Sequence, residues 1–65
     1  MTENEVRQRV AAIDEIADML EESHREEDRL YRDVLEAIAA GAANSADLAR
    51  AALATRYLAL DRHYS

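Results

Sequence analysis

Ala39-Ala40-Gly41-Ala42-Ala43-Asn44-Ser45 holds the only glycine of a 65-residue chain that has no proline. Gly41 suits the left-handed conformation that closes a helix, and Asn44 or Ser45 suits the cap that opens the next one. The stretch therefore predicts a loop over 41–45, between a first helix over about residues 3–40 and a second over about residues 46–64. The chain 1–65 then forms one helical-hairpin domain of the all-α class.

Upstream of the loop the pattern is helical throughout. Thr2 followed by Glu5 has the spacing of a capping box, in which the hydroxyl accepts from a first-turn amide and the carboxylate reaches back. Val6, Val10, Ile13, Ala17, Leu20, His24, Glu27, Tyr31, Val34 and Ile38 recur at alternating four- and three-residue steps, which places them on one helix face. Ile16, Met19, Leu30 and Leu35 widen that face. Ser23 and Glu26 repeat the capping-box spacing, and a helix starting there would make three in all. The absence of glycine and proline around residue 23 favours the continuous helix.

The two expected helices differ in charge and in length. Residues 3–40 carry 12 acidic and 5 basic side chains, whereas residues 45–64 carry 2 acidic and 3 basic. The second helix is apolar over most of its circumference: Ala46, Ala49, Leu53, Tyr57, Leu60 and Tyr64 form one stripe, and Leu48, Ala52 and Ala59 a neighbouring one. A helix of that kind is normally covered by more than one neighbour. At about 1.5 Å per residue the first helix spans about 57 Å and the second about 30 Å. Folded back, the second covers only residues 21–40, and Val6, Val10, Ile13, Ile16, Met19 and Leu20 are left as an uncovered apolar arm. The expected architecture is thus a hairpin, long helix then short, that dimerises into a four-helix bundle.

Composition narrows the function. The excess of acidic over basic residues, 14 to 8, opposes binding to a phosphate backbone, so nucleic acid is not an expected partner. With no cysteine there is neither a disulfide nor a thiolate metal site. No apolar run approaches the ~20 residues that span a bilayer, and the acidic start Met1-Thr2-Glu3-Asn4-Glu5 is unlike a basic leader. A cytoplasmic protein with no membrane partner is the expectation. A chain this short also buries little apolar surface by itself, which points to association.

The polar residues within the stripe are the candidate sites. In an antiparallel hairpin, residues whose numbers sum to about 84–87 face each other, which sets His24 near Leu60, His63 and Tyr64, and Glu27 near Arg56, Tyr57 and Leu60. Glu21 and His24 have the i, i+3 spacing of carboxylate-bridged metal bundles, so a metal site of Glu21, His24, Glu27 and His63, completed by oligomerisation in a ferritin-like protein, is the alternative reading. The bundle needs further inward carboxylates that the second helix does not offer. Glu27 is more simply an inter-helix partner of Arg56 that fixes register, and His24 a group that makes an interface sensitive to pH. No catalytic motif, phosphate-cradling loop or zinc motif is present, and no cofactor is expected. The expected function is a small non-enzymatic interaction or regulatory protein, homodimeric or bound to a larger partner protein. Its expected interface is Val6, Val10, Ile13, Ile16, Leu20, His24, Glu27, Tyr31, Leu53, Arg56, Tyr57, Leu60 and Tyr64.

Overall fold

The computed structural model describes residues 1–56, so the expectations for Tyr57, Leu60, His63 and Tyr64 lie outside the described residues. Three helices follow one another: α1, Glu3–Glu15; α2, Leu20–Ala39; and α3, Ser45–Leu53. Each packs against both of the others. The protein is all-helical, and among the described residues there is no strand.

The start of α1 and the end of α2 follow the sequence. At the start of α1 the Glu5 amide donates to Thr2 Oγ1 at 3.1 Å, and the Thr2 amide donates to Glu5 Oε1 at 3.0 Å. At the end of α2, Gly41 takes φ 94° and closes the helix. Its amide donates to the Ile38 carbonyl at 2.9 Å, and the next amide, of Ala42, donates to the Ala37 carbonyl at 3.1 Å. Two orphan carbonyls are satisfied by a glycine in the left-handed region. α3 then begins at Ser45 with Asn44 as its cap residue, and the Leu48 amide donates to the Asn44 carbonyl at 3.0 Å.

The expected single helix over 3–40 is corrected to two. It breaks at residues 16–19, and the second part begins at Leu20 rather than at the alternative start, Ser23. At the bend the hydrogen bonds tighten to i→i−3: Ala17 N–H to the Asp14 carbonyl at 3.2 Å, Met19 N–H to the Ile16 carbonyl at 2.9 Å. Two effects favour this. In a continuous helix Asp18 would stand at i±3 and i±4 from Asp14, Glu15, Glu21 and Glu22, all carboxylates. Like-charge pairs at those spacings each destabilise a helix by about 0.2–0.5 kcal/mol. Bending also folds α1 back onto its own chain, where Val6 and Ile13 become 0% and 2% exposed. Full burial of such side chains contributes about 1.5–3 kcal/mol each. The turn bonds at the bend retain part of what the lost i→i−4 bonds, at about 1 kcal/mol each, would have contributed. Burial and charge together outweigh the remainder.

The core takes two residues from each helix: Val6 and Ile13 from α1, Leu30 and Val34 from α2, Leu48 and Ala52 from α3. Val10, Tyr31, Ala37, Ile38, Ala42 and Ala51 pack against it half-buried. The apolar arm expected from the length mismatch is therefore largely covered within the chain: Val6 and Ile13 are intramolecular core, Val10 and Ile16 are half-buried, and only Met19 and Leu20 of that set are exposed. The stripe also changes phase at the bend. In the first half of α2 it is Ser23 and Glu27 that are buried, while Leu20 and His24, expected on the inward face, are exposed.

Candidate interaction surface

The face formed by α2 and α3 carries an apolar groove of about 510 Å³ lined by Tyr31, Val34, Leu35 and Ile38 of α2, by Ala49, Ala52 and Leu53 of α3, and by Arg56. Helical spacing on both sides builds it. On α2 the residues step by three and four, so that Val34 points to the core and Leu35 to the outside of the same strip. On α3 the alanines at 49 and 52 leave a shallow floor, and Leu53 rises at its edge. Leu35 is 65% and Leu53 46% exposed, so two large aliphatic side chains stand out beside a floor of small ones. Arg56 is exposed at the rim.

The register of this face is set by hydroxyls. Tyr31 Oη and Thr55 Oγ1 are hydrogen-bonded to one another, and Thr55 donates to the Ala52 carbonyl at 3.1 Å. Thr55 is fully buried and Tyr31 half-buried, so the Thr55 end of the bond is shielded from competing water. Tyr31 opposite Thr55 falls within the register expected of an antiparallel α2/α3 hairpin. On the other side of the bundle, Arg9 Nη1 of α1 donates to Asp33 Oδ2 of α2 at 2.8 Å, with both side chains about one-third exposed. Sequence spacing alone held no sign of the Arg9–Asp33 pair, because it joins elements that the continuous helix would have kept about 36 Å apart.

The polar residues singled out by pattern are not gathered into one pocket. His24 is exposed, and its Nδ1 lies 3.6 Å from Oε1 of the buried Glu27. Glu21 is exposed in the first turn of α2, where a carboxylate favours the helix N-terminus. Among the described residues no group of three or more His, Cys, Asp or Glu side chains is placed to hold a metal ion, and His63 lies outside them. Two smaller clefts are charged: Arg9, Glu15, Glu22 and Glu26 surround Ile13 and Ile16 between α1 and α2, and Glu3, Arg7, Asp47 and Arg50 surround Val10 and Ala51 between α1 and α3.

Of the expected interface, Val6 and Ile13 are core, Val10, Ile16 and Tyr31 are half-buried, and Leu20, His24, Leu53 and Arg56 are exposed. Leu35, read from sequence only as the edge of a stripe, is the most exposed of the large aliphatic side chains among the described residues. Among the described residues no helix is long and apolar enough to cross a membrane. No protein-family model, curated protein or solved structure matches this chain.

Proposed function

We propose that this is a small non-enzymatic interaction protein whose working surface is the α2/α3 face, and that this face packs against the helices of a second copy or of a larger partner protein. The observation that carries the reading is the pairing of Leu35 and Leu53, both protruding, with the apolar floor between them. Exposed aliphatic anchors at helical spacing beside a groove of small residues are what helix-to-helix docking uses. Association of two copies through this face brings α2 and α3 of each together as a four-helix bundle.

The size of the core supports association. Among the described residues, 1–56, the core has six buried aliphatic side chains, one of them alanine. Domains of this length stand near the lower limit at which a single core suffices, and additional burial at an interface is a common remedy.

Sedimentation velocity on the full chain tests the reading. Wild-type protein at micromolar concentration is expected to sediment as a dimer, and Leu35→Asp or Leu53→Asp as a folded monomer, because the charge falls on the exposed face and leaves the core in place. Arg50→Ala, at a side chain 76% exposed, is expected to leave association unchanged. A wild-type protein that stays monomeric and gains no partner-dependent stability over the same range overturns self-association through this face.

A further inference from the structure

The bend at residues 16–19 has none of the devices that normally lock a chain reversal. It contains neither glycine nor proline, its backbone nowhere enters the left-handed region, and Met19 at the start of α2 provides no side-chain cap. Ile16 (φ −106°, ψ 23°) and Met19 (φ −97°, ψ 81°) both keep negative φ, and a turn of roughly 40° in φ with a larger one in ψ returns each to a helix without crossing the left-handed region. The bend also exposes apolar side chains where chain reversals are usually polar: Met19 is 46% and Leu20 56% exposed.

The helix this bend releases is held by contacts that do not depend on which chain supplies them. Val6 and Ile13 fill a core otherwise made by α2 and α3, and Arg9 is paired to Asp33 of α2. We infer that the chain exchanges α1 with a second copy of itself. In the exchanged form residues 3–39 are one continuous helix of about 55 Å, and α1 docks on α2 and α3 of the other copy, where the same core and the same ion pair form between chains. Exchange of an identical element conserves every contact of the closed monomer and is a low-cost route to a symmetric dimer.

Three differences separate the closed and exchanged forms, and all lie at the bend. The exchanged form gains regular helix hydrogen bonds across residues 16–19. Its two long helices also cross there, so that Ile16, Met19 and Leu20 of both copies meet and lose their exposure. Against it stand Asp18 and its four carboxylate neighbours, which repel in the straight helix. Asp18 is thus the residue that holds the chain closed, and the apolar pair that follows it draws two copies together. The inference deepens the reading of the chain as a self-associating protein but uses a different surface, the bend and α1 in place of Leu35 and Leu53, so each fails separately.

The absence of cysteine allows clean labelling of Gln8→Cys and Arg32→Cys, two exposed positions adjacent in sequence to the Arg9–Asp33 pair. In the closed chain the labels lie across the α1/α2 contact. In the straight helix they are 24 residues apart, a separation of about 36 Å. Electron-spin distance measurements on doubly labelled protein diluted into unlabelled protein read the intrachain distance alone. The expected result is a population at the long distance that grows with total protein concentration and grows further in Asp18→Ala. Asp18→Pro is expected to remove it, weakening exchange by about two orders of magnitude per chain, because proline interrupts the interior of the straight helix. In the bend the Asp18 amide donates no backbone hydrogen bond among the described residues, so proline removes none from the closed form. Met19→Ser with Leu20→Ser, at exposed positions, provides the second variant: helicity retained at low concentration, long-distance population reduced. Leu35→Asp is expected to leave that population in place even where it abolishes association through the α2/α3 face. A short distance alone at every concentration, in wild type and in Asp18→Ala, overturns the exchange, as does a long-distance population that survives Asp18→Pro.

Discussion

Ile13 and Leu20 stand two steps, seven residues, apart on the pattern of a continuous helix, and the structure assigns them opposite energetic weights. Ile13 is 2% exposed in the core between the three helices; Leu20 is 56% exposed at the start of α2. Truncating a buried isoleucine to alanine costs about 2–5 kcal/mol, the loss of transfer energy plus the cavity left behind. A chain of this length has a total stability of about 3–10 kcal/mol, so Ile13→Ala removes a large part of it. The milder Ile13→Val, at about 0.5–1.5 kcal/mol, keeps the protein folded and measurable. Leu20→Ala deletes more atoms, yet at an exposed position the expected effect is within about 0.5 kcal/mol. Urea denaturation followed by helical circular dichroism, at concentrations low enough to hold the protein monomeric, ranks the two. The structure requires Ile13→Val to destabilise more than Leu20→Ala although it removes one methyl group against an isopropyl group. The reverse order shows that residues 3–20 form a solvent-exposed arm, as the unbroken stripe implies, and refutes the folded-back α1.

The other expectations concern the joints of the bundle. Gly41→Ala places a side chain at φ 94° with nothing within 4 Å of it, so the cost is conformational alone, about 1–2 kcal/mol in thermal or urea melts. A double-mutant cycle on Arg9→Ala and Asp33→Ala is expected to return a coupling of about 0.5–1 kcal/mol, since both side chains are about one-third exposed and the pair is partly screened. Thr55→Val keeps the shape of a fully buried side chain while removing the partner of the Tyr31 hydroxyl; a loss of about 1–2 kcal/mol is expected, and the companion Tyr31→Phe in the same background should recover part of it. Native-state hydrogen exchange is expected to show α1 amides opening at lower free energy than those of Leu30–Val34, and uniform protection across α1 and α2 contradicts that order.

The parts of this fold that could be read from sequence are those set by a few neighbouring residues. Thr2 with Glu5 starts α1, Gly41 ends α2, and the short loop that follows leaves Tyr31 opposite Thr55. Each depends on local chemistry that acts wherever the segment is placed. The bend at 16–19 was missed because every residue there is acceptable in a helix and the apolar stripe runs through it without a gap. Its signal was electrostatic rather than conformational: one aspartate with carboxylates at all four helical neighbour positions. Of the proposed interaction surface, Leu53 was legible because α3 has more apolar circumference than one neighbour covers. Leu35 was not, because its prominence depends on the phase of α2, and the bend resets that phase.

That reset also explains where the polar interruption of the stripe falls. In α2 the buried positions run Ser23, Glu27, Leu30, Val34, polar in the half that follows the bend and aliphatic in the half that leads to Gly41. Ser23 is satisfied within its own helix, its hydroxyl donating to the Leu20 carbonyl at 3.1 Å, so it contributes no attraction across the bundle. Glu27, with His24 beside it, occupies a buried position where an aliphatic residue would add apolar contact. The aliphatic half of α2 therefore binds α3 firmly, with Leu30 and Val34 facing Leu48 and Ala52, while the polar half gives the C-terminal end of α1 less to bury against. α1 is tied by Val6 and Ile13 in the core, by the half-buried Val10 and by one ion pair, and it ends in an unlocked bend. Because α1 packs on both α2 and α3, it is the unlocked bend at its end, and not a lack of contact, that makes α1 the element the proposed exchange moves.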